Sequence, residues 1–304
     1  MEQTVVEQVV EKKRFSFLAE LKKHLAFAVG APALIWQVVF FYVPLATIFI
    51  YSFLDVNDAG KVVGLTLNNF VSVSKLSYFV TIFSSIGLAF LTGLVCLAIG
   101  FPLSYFIAFR GGKFKTLFLF LLLVPFWTNF LLHIYAWFFV LEKEGFLNTV
   151  LMNLHLINEP IHFLNSFFSV VLMMVYYYLP FLALPVYSAL ERFDHSLLEA
   201  SLDLGASRFQ TYKRILVPLV MPSIRAGFFL VYIPAFGEFV IPELMGGDKH
   251  YYVGSVVSQF ILGEQTAQLG TSFTVISIMI LMLTVGMLFK LFNIAYQTLT
   301  KRST

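Results

Sequence analysis

A single cysteine in 304 residues, and charge on only 12% of them, set the first limits on this chain. Cys96 lies inside an apolar run, so an internal disulfide and a cysteine-based metal cluster are excluded, and the residue reads as a small packing group. A phosphate-binding loop is also missing. Gly111-Gly112-Lys113-Phe114-Lys115-Thr116 lacks the G-x-x-x-x-G-K-[ST] spacing and follows no soluble strand, so no nucleotide site is expected here. Neither a Ser/His pair, an H-E-x-x-H run nor paired aspartates within apolar segments occurs, which removes intramembrane enzymes. Finally, no Lys or Arg sits in the middle of any apolar run, so an anion crossing the chain would meet no fixed counter-charge.

What the chain has is apolar surface. With 59% hydrophobic residues and a mean hydropathy of +0.84 it cannot clothe a soluble globule, and it must sit in lipid. A bilayer core takes about 20 helical residues. Runs of that length predict six spans, at roughly 26–54, 79–109, 117–141, 165–190, 219–242 and 267–289. Basic residues are retained on the cytoplasmic side. Sixteen fall on one side, in the N-terminal segment, the loop at 110–115, a polar island at 191–225 and the C-terminal stretch. Only Lys61, Lys75, Lys143 and Lys249 fall on the other. Both termini and the island are therefore expected in the cytoplasm, and the +3 net charge needs no nucleic-acid partner because the anionic inner leaflet explains it. Residues 1–24 read as an amphipathic segment lying on the cytoplasmic membrane surface, with the six-span domain occupying 25–304. The run after His24 is about twice the length of a signal-peptide core, which predicts an uncleaved first span.

The island from Glu191 to Pro222 is too long and too charged to be a turn between spans. Ser196 followed by Glu199 predicts a capping box and a helix from about Leu197. Gly205 stands where a left-handed C-terminal cap is needed, and Ser207 with Gln210 repeats the capping signature for a second helix through Ile215. Pro218 and Pro222 are expected to end it. Leu198, Leu202 and Phe209 can share one face of the resulting helix-turn-helix knob, a shape suited to docking a soluble partner.

The island also carries a resemblance. Glu199-Ala200-Ser201, three residues, Gly205, nine residues, Ile215 and Val217-Pro218 resemble the E-A-A-x3-G-x9-I-x-L-P loop of ABC importer permeases, with Ser201 and Val217 departing from it. Val124-Pro125-Phe126-Trp127-Thr128-Asn129 and the run from Gly237 to Leu244 resemble segments of spermidine/putrescine permeases, so the likeness covers nearly the whole chain. The resemblance implies an all-α polytopic membrane protein with six transmembrane helices in the type I ABC importer permease fold. It implies a bacterial inner-membrane location, cytoplasmic ATPase subunits that hold ATP and magnesium, a second permease subunit that completes the pore as a heterodimer, and an extracytoplasmic solute-binding protein. The chain itself would bind no cofactor and no metal. Glu199, Ala200, Ser201, Asp203, Gly205, Arg208, Ile215 and Pro218 would form the coupling loop at 191–222 through which the ATPase acts.

An ionisable group inside a span is costly and is by default a functional candidate. Glu238 is the one acid clearly placed so, about 25 Å up the fifth span by helical rise, between Pro234 and Pro242 and beside Gly237, which predicts a bent helix open to a cavity. Asn129, His133 and Trp137 are spaced to share one face of the third span, with Trp127 nearby, and Tyr176, Tyr177 and Tyr178 precede Pro180 in the fourth. Asn129 and Tyr177 fall about 18 Å into their spans, near the midplane. Trp127, Asn129, Tyr176, Tyr177 and Glu238 are thus the candidates for a substrate pathway. Aromatic faces beside a carboxylate suit a cation, each ring adding roughly 0.5–2 kcal/mol. Packing is the competing reading for each aromatic, and a hydrogen bond to a neighbouring helix for His133. Polyamine fits best; ferric iron or another organic amine remains open as cargo, as does an ion-coupled carrier or channel.

Overall fold

The computed structural model describes residues 30–57, 61–247, 251–262 and 267–301. The N-terminal segment read as amphipathic lies outside them. The chain divides into two compact units, Met1–Thr66 and Leu67–Thr304.

In the first unit, helix α1 (Gly30–Tyr51) is long and apolar enough to span a bilayer, and none of its most apolar stretch is buried. A wide π turn, Val38–Tyr42, ends two residues before Pro44, whose ring and missing N–H a regular turn would not accommodate. Beyond α1, β1 (Leu54–Val56) pairs antiparallel with β2 (Val62–Leu65), a small ribbon that the hydropathy pattern does not reveal.

The second unit is helical. A short α2 (Asn68–Val73) leads into α3 (Leu76–Arg110), which packs with α7 (Phe167–Glu191) and α9 (Arg208–Phe236) as the central bundle. Lipid tails give no hydrophobic drive between spans, so close backbone approach and hydrogen bonds must hold them. A Cβ on Gly227 would come within 3.0 Å of the Leu182 carbonyl oxygen, and Ser104 donates to the Ala183 carbonyl at 2.8 Å. Cys96 is buried with its thiol 3.8 Å from the Val175 carbonyl oxygen, the packing role expected of it. Ser166 and Ser169 cap α7 reciprocally.

Two spans differ from their expected form. The third is broken: α4 (Lys115–Trp127) and α5 (Phe130–Leu141), with α6 (Phe146–Asn153) following, meet at a bend of 100°. Thr128 and Asn129 are both extended there, and the Asn129 side chain accepts the Leu131 amide at 2.8 Å, so it starts a new helix instead of continuing the old one. Among the described residues five helices pass alone by length and composition, or up to six if this bent pair is counted as one span. The fifth span, in turn, starts earlier than expected. Pro218 and Pro222 do not end the second knob helix, because a π turn at Tyr212–Leu216 widens the backbone and the Val217 amide bonds back to the Tyr212 carbonyl. One helix therefore runs from Arg208 to Phe236. It stops short of residue 242, and α10 (Val240–Gly246) and α11 (Val253–Leu262) are separate. The last helix, α12 (Ala267–Lys301), continues well past residue 289.

Candidate functional site

The knob is built by local chemistry. Its first helix, α8 (Ser196–Asp203), starts at His195, which caps nothing with its side chain. The expected Ser196–Glu199 capping box is absent. The Asp194 carboxylate accepts the Ser196 amide at 3.0 Å instead, and hydrogen bonds from Ser196 hold the Asp194 carboxyl below the usual carboxylate range. An acid two residues earlier thus takes the Ser196 amide that the Glu199 side chain would have accepted.

The turn after α8 follows expectation closely. Gly205 has φ +85°, the Ala206 amide reaches the Ser201 carbonyl at 3.1 Å, and the Gly205 amide reaches Leu202 at 2.9 Å. These are the paired bonds of a Schellman cap. The Ser207–Gln210 capping box is present, with the Ser207 amide 2.9 Å from Gln210 Oε1. Between the two arms, buried Ser201 and Thr211 hydroxyls lie 2.9 Å apart. Ser201, which departs from the small apolar residue of the motif, thus joins the arms.

Leu198 packs against the core, whereas Leu202 and Phe209 turn outward, contrary to a shared face. With Leu204 at 89% and Phe209 at 74% exposure, the knob presents exposed apolar side chains. His195 packs edge-on against Phe109 with ring centroids 4.6 Å apart, and the Tyr212 hydroxyl bonds that of Tyr105. Both contacts tie the knob to the end of α3.

The second site lies where α9 ends. Glu238 is not inside a helix; it sits in the two-residue break between Gly237 and α10, half-buried. Its Oε1 accepts the Phe239 and Val240 amides at 3.1 and 3.0 Å, and its Oε2 accepts the Tyr178 hydroxyl at 2.9 Å. The carboxylate thereby caps α10 and is tied to α7. From outside the break, Gly254 of α11 presses on it: a Cβ there would lie 2.4 Å from the Gly237 carbonyl oxygen and 2.8 Å from Phe239 Cβ.

The pathway candidates do not share one environment. Tyr177 meets Phe130 and Tyr178 with ring centroids at 4.7 and 5.3 Å, placing it beside the Glu238 ligand Tyr178. Tyr176 faces the other way, bonding His133 Nδ1 at 2.8 Å and packing against Trp137 at 5.6 Å. Thr128 bonds the opposite nitrogen of the His133 ring. Asn129 is used as a helix cap and does not extend the His133–Trp137 stripe. Trp127 is 70% exposed and touches Phe120. Tyr178 is the site residue that sequence reasoning passed over; its position beside Tyr177 gave no sign of which hydroxyl would find the acid.

A packed bundle of apolar spans, one acid in a helix break and a compact polar knob define a transport permease. Residues 100–297 match the family described as binding-protein-dependent transport system inner membrane component, and the chain belongs to that family. It is 41% identical over 253 residues to the spermidine/putrescine transport system permease protein PotB of Escherichia coli, covering 82% of this chain and 92% of that protein. A shorter stretch of 85 residues is 35% identical to the permease protein PotC of the same organism, covering 28% of this chain and 32% of that protein. Among solved structures, a bacterial ABC transporter involved in the import of the acidic polysaccharide alginate matches with a TM-score of 0.66 at 17% identity, covering 91% of this chain and 98% of that chain. At that identity the likeness is one of fold. The chain is a multi-span permease subunit of the ABC importer type, and hydrolysis of ATP belongs to other subunits.

Proposed function

We propose that this permease conducts polyamines, with Glu238 as the acid that draws the cationic cargo into the pathway. The carrying observation is Glu238 itself, an acid in a helix break, anchored by Tyr178 and two backbone amides and still half-buried rather than sealed. Three donated hydrogen bonds fix the side chain in place and leave one acceptor position for an ammonium. Identity to a permease named for spermidine and putrescine supports that cargo over ferric iron. A solute-binding protein would supply affinity and selectivity, in keeping with the family's description. Likeness to PotC, a second permease of a system bearing the same name, supports a heterodimeric pore.

In this reading both termini and the knob face the cytoplasm, where ATPase subunits carrying ATP and magnesium grip the knob at Glu199, Ala200, Asp203, Gly205 and Arg208, while buried Ser201 and Pro218 and half-buried Ile215 hold its shape. ATPase closure would move the knob as a lever, and its links to α3 and its continuity with α9 would pass that motion to the bundle. Glu238→Gln keeps the size of the side chain and removes the charge. Uptake of labelled putrescine by the reconstituted transporter is expected to fall roughly tenfold, about 1.4 kcal/mol, while ATPase subunits still co-purify. Unchanged uptake would reduce Glu238 to a helix cap.

A further inference from the structure

Where α9 begins and α12 ends, a cavity of about 520 Å³ is lined by Phe209, Gln210, Lys213, Arg214, Thr298 and Leu299. Its cations are free in a way their neighbour is not. Arg225 donates to Asn293 at 2.6 Å and lies over the Phe289 ring at 4.2 Å, so it is a helix-to-helix strut. Among the described residues the one contact of the Lys213 amine is the Phe209 ring, at 5.9 Å, and neither Lys213 nor Arg214 pairs with a carboxylate. Two unpaired cations in one concave site call for an anion.

The walls identify what kind. Phe209 and Leu299 supply apolar surface next to the cations, and both α9 and α12 run from this cavity directly into apolar spans. A small soluble anion would use only the cations; a lipid would use both. We propose that this cavity seats the phosphate headgroup of an anionic phospholipid, with its glycerol and upper chains against Phe209 and Leu299. Such a lipid would bridge the second arm of the knob to the C-terminal helix. Placement in the inner leaflet rests on the topology proposed above, but binding in detergent does not depend on it, so the two can fail separately.

The test is native mass spectrometry of the delipidated full chain in neutral detergent, titrated with phosphatidylglycerol or phosphatidylcholine. Saturable binding of phosphatidylglycerol is expected, weakened tenfold or more in K213Q/R214Q and unchanged in K113Q/K115Q, which removes the same charge elsewhere. Equal binding of phosphatidylcholine, or equal loss in both double variants, would overturn the proposal. Displacement of the lipid by equimolar inorganic phosphate would assign the cavity to a soluble anion, and displacement by added ATPase subunits would assign it to protein contact; either result overturns it.

Discussion

Gly205→Val is expected to abolish substrate-stimulated ATP hydrolysis by the assembled transporter while the chain still inserts in the membrane. The reason is confined to the backbone. A Cβ at Gly205 would meet nothing within 4 Å, so no neighbour has to move; the cost comes from φ +85° alone. Left-handed backbone costs an ordinary L-residue roughly 1–2 kcal/mol, and a β-branched one suffers most. Relieving that strain would unmake the Schellman bonds to Ser201 and Leu202 and swing α8 away from the second arm. Gly205→Asn separates this account from simple sensitivity to size, because Asn, like Val, adds a branched side chain to the glycine but tolerates the left-handed region. The Asn variant should keep most of its stimulation, measured as ATP turnover with and without loaded binding protein in proteoliposomes. Val and Asn variants that fail alike would show that conformation is not what Gly205 contributes.

Gly254→Leu should stop uptake as completely, at the other end of the molecule. Here space decides the outcome. A Cβ at 2.4 Å from the Gly237 carbonyl oxygen and 3.1 Å from the Glu238 carbonyl carbon collides with backbone, which cannot rotate away as a side-chain tip can. The break carrying Glu238 must shift, and the 2.9 Å bond from Tyr178 goes with it. Since the knob lies at the far end of α9 from this break, ATPase subunits should still co-purify and hydrolyse ATP at the basal rate. Transport of labelled putrescine at the unsubstituted rate by this variant would show that the position of Glu238 does not matter to passage.

The contrast between these glycines marks what could be read from residues alone. Gly205 and the Ser207–Gln210 box are settled within a few residues, by backbone conformation and by hydrogen bonds that close on themselves, so their spacing carries the information. Most span positions were legible for a similar reason: hydropathy needs no tertiary partner. The Ser196 cap was misread because two local candidates competed and Asp194, two residues upstream, reaches the amide first. The break at Thr128–Asn129 was legible in principle. A polar pair following Pro125, with Asn ready to cap, is a start signal, but the apolar residues on both sides made it look like a brief interruption. The continuity of α9 through Pro218 could not be foreseen, since the π turn that allows it has no strong sequence mark. Least legible was the Glu238 site. Tyr178 lies sixty residues away and Gly254 reaches it from another helix, so only the packed bundle brings them together.

The central claim is that the knob stands in the cytoplasm as the handle gripped by a separate ATPase. Leu204→Cys tests it most directly, because Leu204 is 89% exposed at the tip and the only native thiol, Cys96, is fully buried. A membrane-impermeant maleimide should label this variant in inside-out vesicles, fail to label it in intact spheroplasts, and lose access when ATPase subunits are bound. Labelling from the outside of intact spheroplasts, or labelling from the inside that bound ATPase leaves undiminished, would contradict the account.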